Sequence, residues 1–186
     1  MSHDVTPILM ALYQGKVEEA RLLASQSPSL TLGEAAALGD LERVGALLAG
    51  DPSLLDSRTA DGFPALGLAI FFRHPHVARF LIEQGADVNA AADNAQRVAP
   101  LHAAAAVQDR ETAALLLERG ADPNAKQQQD HTPLHGAASR GDIELAKLLV
   151  AHGADRDAKA ADGLGAADIA EKYGKPEFAE WFRRGA

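Results

Sequence analysis

Two stretches of this 186-residue chain are near-copies set at a fixed offset. Ala99-Pro100-Leu101-His102 leads on to Gly120-Ala121-Asp122, and Thr132-Pro133-Leu134-His135 leads on to Gly153-Ala154-Asp155. Each residue of the second set stands 33 after its counterpart in the first. A period of this length restricts the chain to stacking one supersecondary unit on the next rather than building a single closed core. One such unit is too small to bury its apolar face alone.

Every part of the unit that starts at Thr132 has a physical reason. Thr132 suits a helix N-cap, and Pro133 suits the first helical position, where the missing N–H costs nothing. His135, three residues after the cap, is placed to reach back to the Thr132 hydroxyl or to the loop backbone. Ala137 and Ala138 keep the first helix thin, and Gly141 turns the chain through a left-handed conformation that is cheap only for glycine. Ile143, Leu145, Ala146, Leu148 and Leu149 then form the apolar stripe of a second helix, which Gly153 ends.

The same register runs in both directions. The fourth unit keeps Pro100, Leu101, His102, Leu115, Leu116 and Gly120. The sixth has Gly165-Ala166-Ala167-Asp168 in place of the Thr-Pro-Leu-His motif, with Gly174 as its turn and Phe178, Trp181 and Phe182 as its stripe. In the third, Pro64-Ala65-Leu66-Gly67 takes the motif position, and the step to the fourth is two residues too long, which puts the excess in the loop 90–98. The first unit opens at Thr6-Pro7-Ile8-Leu9 and the second keeps Ala35, Ala36, Val44, Leu47 and Leu48. Their turn glycines, Gly15 and Gly39, stand only 24 apart, so the loop between these units is expected to be missing. Counting back from the turns puts Leu9, Gly33, Gly67 and Asp168 at the His135 position. The expectation is one domain of six helix-turn-helix units over residues 4–27, 28–57, 58–92, 93–125, 126–158 and 159–186.

The motif and its period resemble those of the ankyrin repeat family, from about Thr6 to the last residue. The resemblance implies an all-α solenoid of helix pairs joined by short β-hairpin-like fingers. It also implies non-catalytic protein binding on a concave surface of finger tips and first-helix ends. Stability in such a stack is roughly a sum of unit and interface terms. Lys172, Lys175, Glu177, Glu180, Arg183 and Arg184 around the last apolar stripe are the pattern of a terminal cap.

Composition narrows the function classes. The net charge is −8, which argues against nucleic acid and anionic membrane and favours a protein partner with a basic patch. There is no cysteine, so disulfides, thiolate metal sites and cysteine nucleophiles are excluded, and a cytoplasmic location is the expectation. No basic start followed by an apolar run, and no apolar stretch of about 20 residues, marks a leader or a membrane span. A monomer is expected. His102 and His135 hold the same place in adjacent repeats and read as capping residues. His74 and His76 flank Pro75 without a third ligand, and neither pair supplies a metal site. Asp87, Asp122 and Asp155 recur after helix-ending glycines as turn residues. No catalytic constellation and no cofactor is expected.

What the period leaves unexplained is more informative about binding. At the surface positions that the resemblance implies, Tyr13, Leu38, Phe63, Phe71, Phe72, Val107 and Tyr173 are more apolar than a solvated face needs, and such clusters mark partner sites. Gln128, His131 and Arg140 would add polar contacts. The plain alternative is that Phe71 and Phe72 fold inward as packing. The turn glycine is replaced by Arg73 and Gln108 in units three and four, at a cost of about 1–2 kcal/mol each, and such departures collect where function overrides stability. Two rival readings are a regulatory protein that holds a small ligand between fingers near the loop 90–98, and a metal protein or enzyme.

Overall fold

The computed structural model describes residues 5–27 and 29–185. The expected starts of the first and second repeats, at residues 4 and 28, and the expected end of the sixth, at residue 186, lie outside the described residues. The chain groups into two compact units, residues 1–94 and 95–186. In the first unit the helices are α1 (Pro7–Tyr13), α2 (Val17–Gln26), α3 (Leu32–Leu38), α4 (Leu41–Gly50), α5 (Ala65–Phe71) and α6 (Pro75–Glu83). In the second they are α7 (Pro100–Val107), α8 (Arg110–Glu118), α9 (Pro133–Arg140), α10 (Ile143–Ala151), α11 (Ala166–Lys172) and α12 (Pro176–Arg183). No helix is long and apolar enough to cross a membrane among the described residues.

Odd-numbered helices pack on odd-numbered ones within each unit, and each also packs on the even-numbered helix that follows it. Small side chains make the inner layer possible. Ala35, Ala36 and Ala37 on α3, Ala103, Ala104 and Ala105 on α7, and Ala137 and Ala138 on α9 are all buried. At Gly136 a Cβ would stand 3.2 Å from the Ala105 Cβ, so α9 approaches α7 as closely as a side-chain-free position permits. The even helices bring the bulk: Val44, Val77, Leu81, Leu116, Leu145, Leu149 and Phe178 are buried. In α2 only Ala20 is fully buried, Leu23 is half-buried, and Leu22 is exposed.

The helix starts explain the capping histidine. The Thr132 N–H donates to His135 Nδ1 at 3.0 Å, with the Thr132 hydroxyl 3.3 Å from the same nitrogen. With Nδ1 accepting, the proton sits on Nε2, which donates to the Ala158 carbonyl at 3.2 Å. His102 Nε2 likewise donates to the His131 carbonyl, at 3.1 Å, but its Nδ1 is buried without a partner and α7 has no side-chain cap, which corrects the reading of His102 as a capping residue. Other repeats obtain the same backbone contact from other chemistry. In the sixth, the Gly165 N–H donates to Asp168 Oδ2 at 3.0 Å. In the second, the Thr31 N–H donates to Glu34 Oε2 at 2.8 Å and the Glu34 N–H returns a bond to the Thr31 hydroxyl. That corrects the sequence register, which put Gly33 there. The helix α3 begins one residue later relative to its turn than its counterparts, and Glu34 does the capping.

The fingers are hairpin-like rather than sheet-forming. One antiparallel bridge, Arg58 to Pro64, occurs among the described residues. Thr59, Gln127 and Ala160 N–H groups donate to the carbonyls of Phe63, His131 and Leu164 across their own hairpins. Fingers also bond to their neighbours, through Asp93 N–H to Gly62 O, Gln128 N–H to Gln96 O and Ala161 N–H to Gln129 O. The lengthened loop is tied at both ends. Asn94 donates to the Asp61 carbonyl within the first unit, and Gln96 accepts from Gln128 within the second. Between α2 and α3 only a short link runs, as the 24-residue spacing of Gly15 and Gly39 requires.

Candidate functional site

Helix rotation decides which of the sequence candidates face solvent. Counted from each N-cap, the seventh residue of the odd-numbered helices points out, and successive residues turn by about 100°. Tyr13, Phe71, Ala106 and Lys172 hold that place and are exposed, while Ser139 on α9 and Leu38 on α3, whose N-cap stands one residue nearer its turn, are half-buried. One residue further on, Phe72 is half-buried and Val107 is only 7% exposed. Val107 is therefore core, not binding surface, although Arg140, at the same step of α9, is exposed. Leu38, Phe63 and Phe72 are half-buried and pack against the apolar cluster of Ile8, Leu9, Leu12 and Leu68. The inward-packing alternative thus holds for Phe72, and not for Phe71.

In the first unit these residues form one aromatic group. The Phe71 and Phe72 rings meet edge to face with centroids 5.2 Å apart, and Tyr13 lies 5.5 Å from Phe72 and 6.4 Å from Phe71. The Tyr13 hydroxyl donates to Asp61 Oδ2 at 2.7 Å, and the Thr59 hydroxyl donates to Asp61 Oδ1 at 2.5 Å. Burial, followed by the hydrogen bond and charge of Asp61, holds the Tyr13 hydroxyl well above the ordinary phenol range. Phe71 stays 49% exposed and Tyr13 39%, so each keeps much of its surface open to a partner. Asp61 was not legible as a candidate. Its recurrence before a finger glycine, as Asp162 before Gly163, reads as turn chemistry, and its bond to a residue 48 positions away has no period.

The second unit is more polar. Tyr173 is 57% exposed, Arg140 and Gln128 are exposed, and His131 is half-buried, its ring edge-on to His135 at 5.5 Å. Lys172 Nζ stands 3.7 Å from Asp162 Oδ2, which ties the seventh position of α11 to its own finger. His74 Nε2 donates to the Ala37 carbonyl at 3.0 Å, and its ring lies against Gly39, leaving His76 without it as a partner. Among the described residues no three metal-ligating side chains lie together. The cavity beneath the fingers, lined by Leu55, Arg58, Leu66, Leu81 and Ala90, has about 100 Å³, well under the roughly 300 Å³ at which small-molecule sites begin.

Backbone strain marks the middle of the chain. Arg73 and Gln108 adopt φ of 63° and 58° where other repeats have glycine. Arg97 and Asp130 do the same in the fingers, at φ 50° and 57°, where Gly62 and Gly163 stand in the third and sixth repeats. The repeat register carries the signal for this finger pair too, since Arg97 and Asp130 stand at the places of Gly62 and Gly163. Relieving such a site is expected to stabilise the fold: Gln108→Gly should raise stability by about 1 kcal/mol, read as a higher urea midpoint. An unchanged or lower midpoint would show that the left-handed turn carries no strain.

Two family models match this chain. One, described as ankyrin repeats in three copies, covers residues 32–127, and the other, described as ankyrin repeats in many copies, covers residues 116–170. No curated protein matches it.

Proposed function

Because the chain belongs to the ankyrin repeat family, whose members are generally protein–protein interaction modules, we propose that it binds a protein partner without catalysis. The contact surface in this reading is the exposed first-helix ends and finger tips of each unit. In the first unit Tyr13 and Phe71 are the apolar anchors, with Phe63, Leu38 and Phe72 supporting them from beneath. In the second, Gln128, His131, Arg140 and Tyr173 are the candidate contacts. The observation that carries the reading is the exposed Phe71 beside Tyr13 on two first helices that bring no charged side chain of their own. Exposed aromatics held by rigid neighbours are the usual seat of binding energy, and a preformed surface lowers the ordering cost of association.

The test is Phe71→Ser alone, since Phe72 supports the core. The variant should keep its unfolding midpoint and weaken partner capture at least 30-fold, as losing a hot spot of about 2 kcal/mol requires. Capture of the same partner at the same affinity would sink the reading.

A further inference from the structure

The finger carboxylates of the third and sixth repeats occupy equivalent places but have different partners. In the sixth, Asp162 faces Lys172, seven residues after the helix N-cap Gly165, with the ammonium 3.7 Å from the carboxylate. In the third, the residue seven after the N-cap Pro64 is Phe71, and Asp61 has no cation among the described residues. Its oxygens accept only from the Tyr13 and Thr59 hydroxyls, one each, which leaves a lone pair on both. The finger backbone is fixed as well, because Asn94 holds the Asp61 carbonyl at 2.8 Å. The carboxylate is therefore held rigid, half-exposed and against the Tyr13 hydroxyl, with the exposed Phe71 ring 6.4 Å from the Tyr13 ring.

We propose that this place takes an arginine side chain from a basic segment of the protein partner, a reading that rests on the protein-binding function above. An aromatic face attracts a cation through its quadrupole, and a planar guanidinium can stack on a ring while forking onto a carboxylate. The chain uses the first half of this chemistry internally, where the Arg156 guanidinium lies 4.3 Å from the Phe182 ring centroid. It uses the second half where the Arg110 guanidinium donates to both Asp142 oxygens, at 2.8 and 3.1 Å. The third repeat combines a carboxylate with aromatic rings and lacks only the cation. Arginine is favoured over lysine because an ammonium cannot both stack and fork.

The experiment is an NMR titration of the intact chain with the peptide acetyl-Gly-Gly-Arg-Gly-Gly-amide, beside the same peptide with citrulline, which keeps the shape and loses the charge. The arginine peptide should shift the ring protons of Tyr13 and Phe71 saturably and bind at least tenfold more tightly than the citrulline one. Phe71→Lys, which copies the arrangement of the sixth repeat, should abolish binding while leaving the fold intact, and D61N should weaken it tenfold or more. Equal shifts from both peptides, or binding that survives Phe71→Lys, would overturn the proposal. If the arginine peptide leaves the rings unmoved while Phe71→Ser still loses the partner, the arginine site falls and protein binding stands. If the peptide binds as expected and partner capture ignores Phe71→Ser, the site stands and the protein-binding reading at this edge falls.

Discussion

Replacing Phe178 by alanine is expected to cost about 3–5 kcal/mol and to melt the last repeat ahead of the rest of its unit. Phe178 is 1% exposed and anchors the only aromatic stack on α12, with Phe182 parallel at 5.8 Å and Trp181 edge-on at 5.5 Å. Removing the ring leaves a cavity under the whole stripe. Arg156 loses much of its support too, since its guanidinium covers Phe182 and donates to the Phe182 carbonyl. In a stack each repeat is held only by its neighbours, so the damage stays local. Amides of α11 and α12 should lose hydrogen-exchange protection while those of α7 and α9 keep it. Cutting the chain before Asp162 should be worse, because α11 packs directly on α9 and its departure bares that apolar face. A soluble, equally stable truncation, or a Phe178→Ala variant that loses under 1 kcal/mol, would show that the sixth repeat is not a cap.

Acid should unfold the second unit through two buried histidines, His102 and the capping His135. Burial of the ring pushes His102 down to about 4, against opposing carbonyl bonds, and burial lowers His135 as well. The groups that face them are His131 and Asp122 for the first and His131, Asp162 and Lys159 for the second. A folded-state value below the unfolded one means that the unfolded chain binds the proton more readily. The stabilisation is thus complete above about pH 6.5 and is lost as the pH falls toward 4. His102 alone accounts for about 3 kcal/mol over that window. Hydrogen bonding gives the same sign. Protonation would put a proton on His135 Nδ1, which now accepts from Thr132, and on His102 Nδ1, which is buried and has no partner. Urea unfolding from pH 7.5 to 4.5 tests this, and H102Q should start less stable but show a flatter pH dependence. A wild-type midpoint that does not move between pH 6.5 and 4.5 would contradict it.

Much of the fold could be read from spacing. The 33-residue period locates the turns, and the Thr-Pro-Leu-His motif gives His135 its backward reach. What spacing could not give was which neighbours cover a given step. Val107, Arg140 and Tyr173 stand at the same step from their N-caps, yet Val107 is core and the other two are exposed. Glu34 was displaced by a single residue for a related reason: a short link replaces the first finger, and α3 starts later. The Tyr13 to Asp61 bond was invisible in a different way. It joins a residue of the first repeat to a finger of the third, and nothing in either segment signals the other.

The equivalence of Phe71 and Lys172 has a consequence for how such a chain can diversify. Both residues occupy the outward step of a first helix, and neither is needed to hold its helix in place. Exchanging one for the other would turn an open carboxylate into a self-neutralised one, or the reverse, by replacing one residue of the repeat. After a duplication, specificity could therefore migrate along the chain from repeat to repeat while the packing beneath it stayed as inherited.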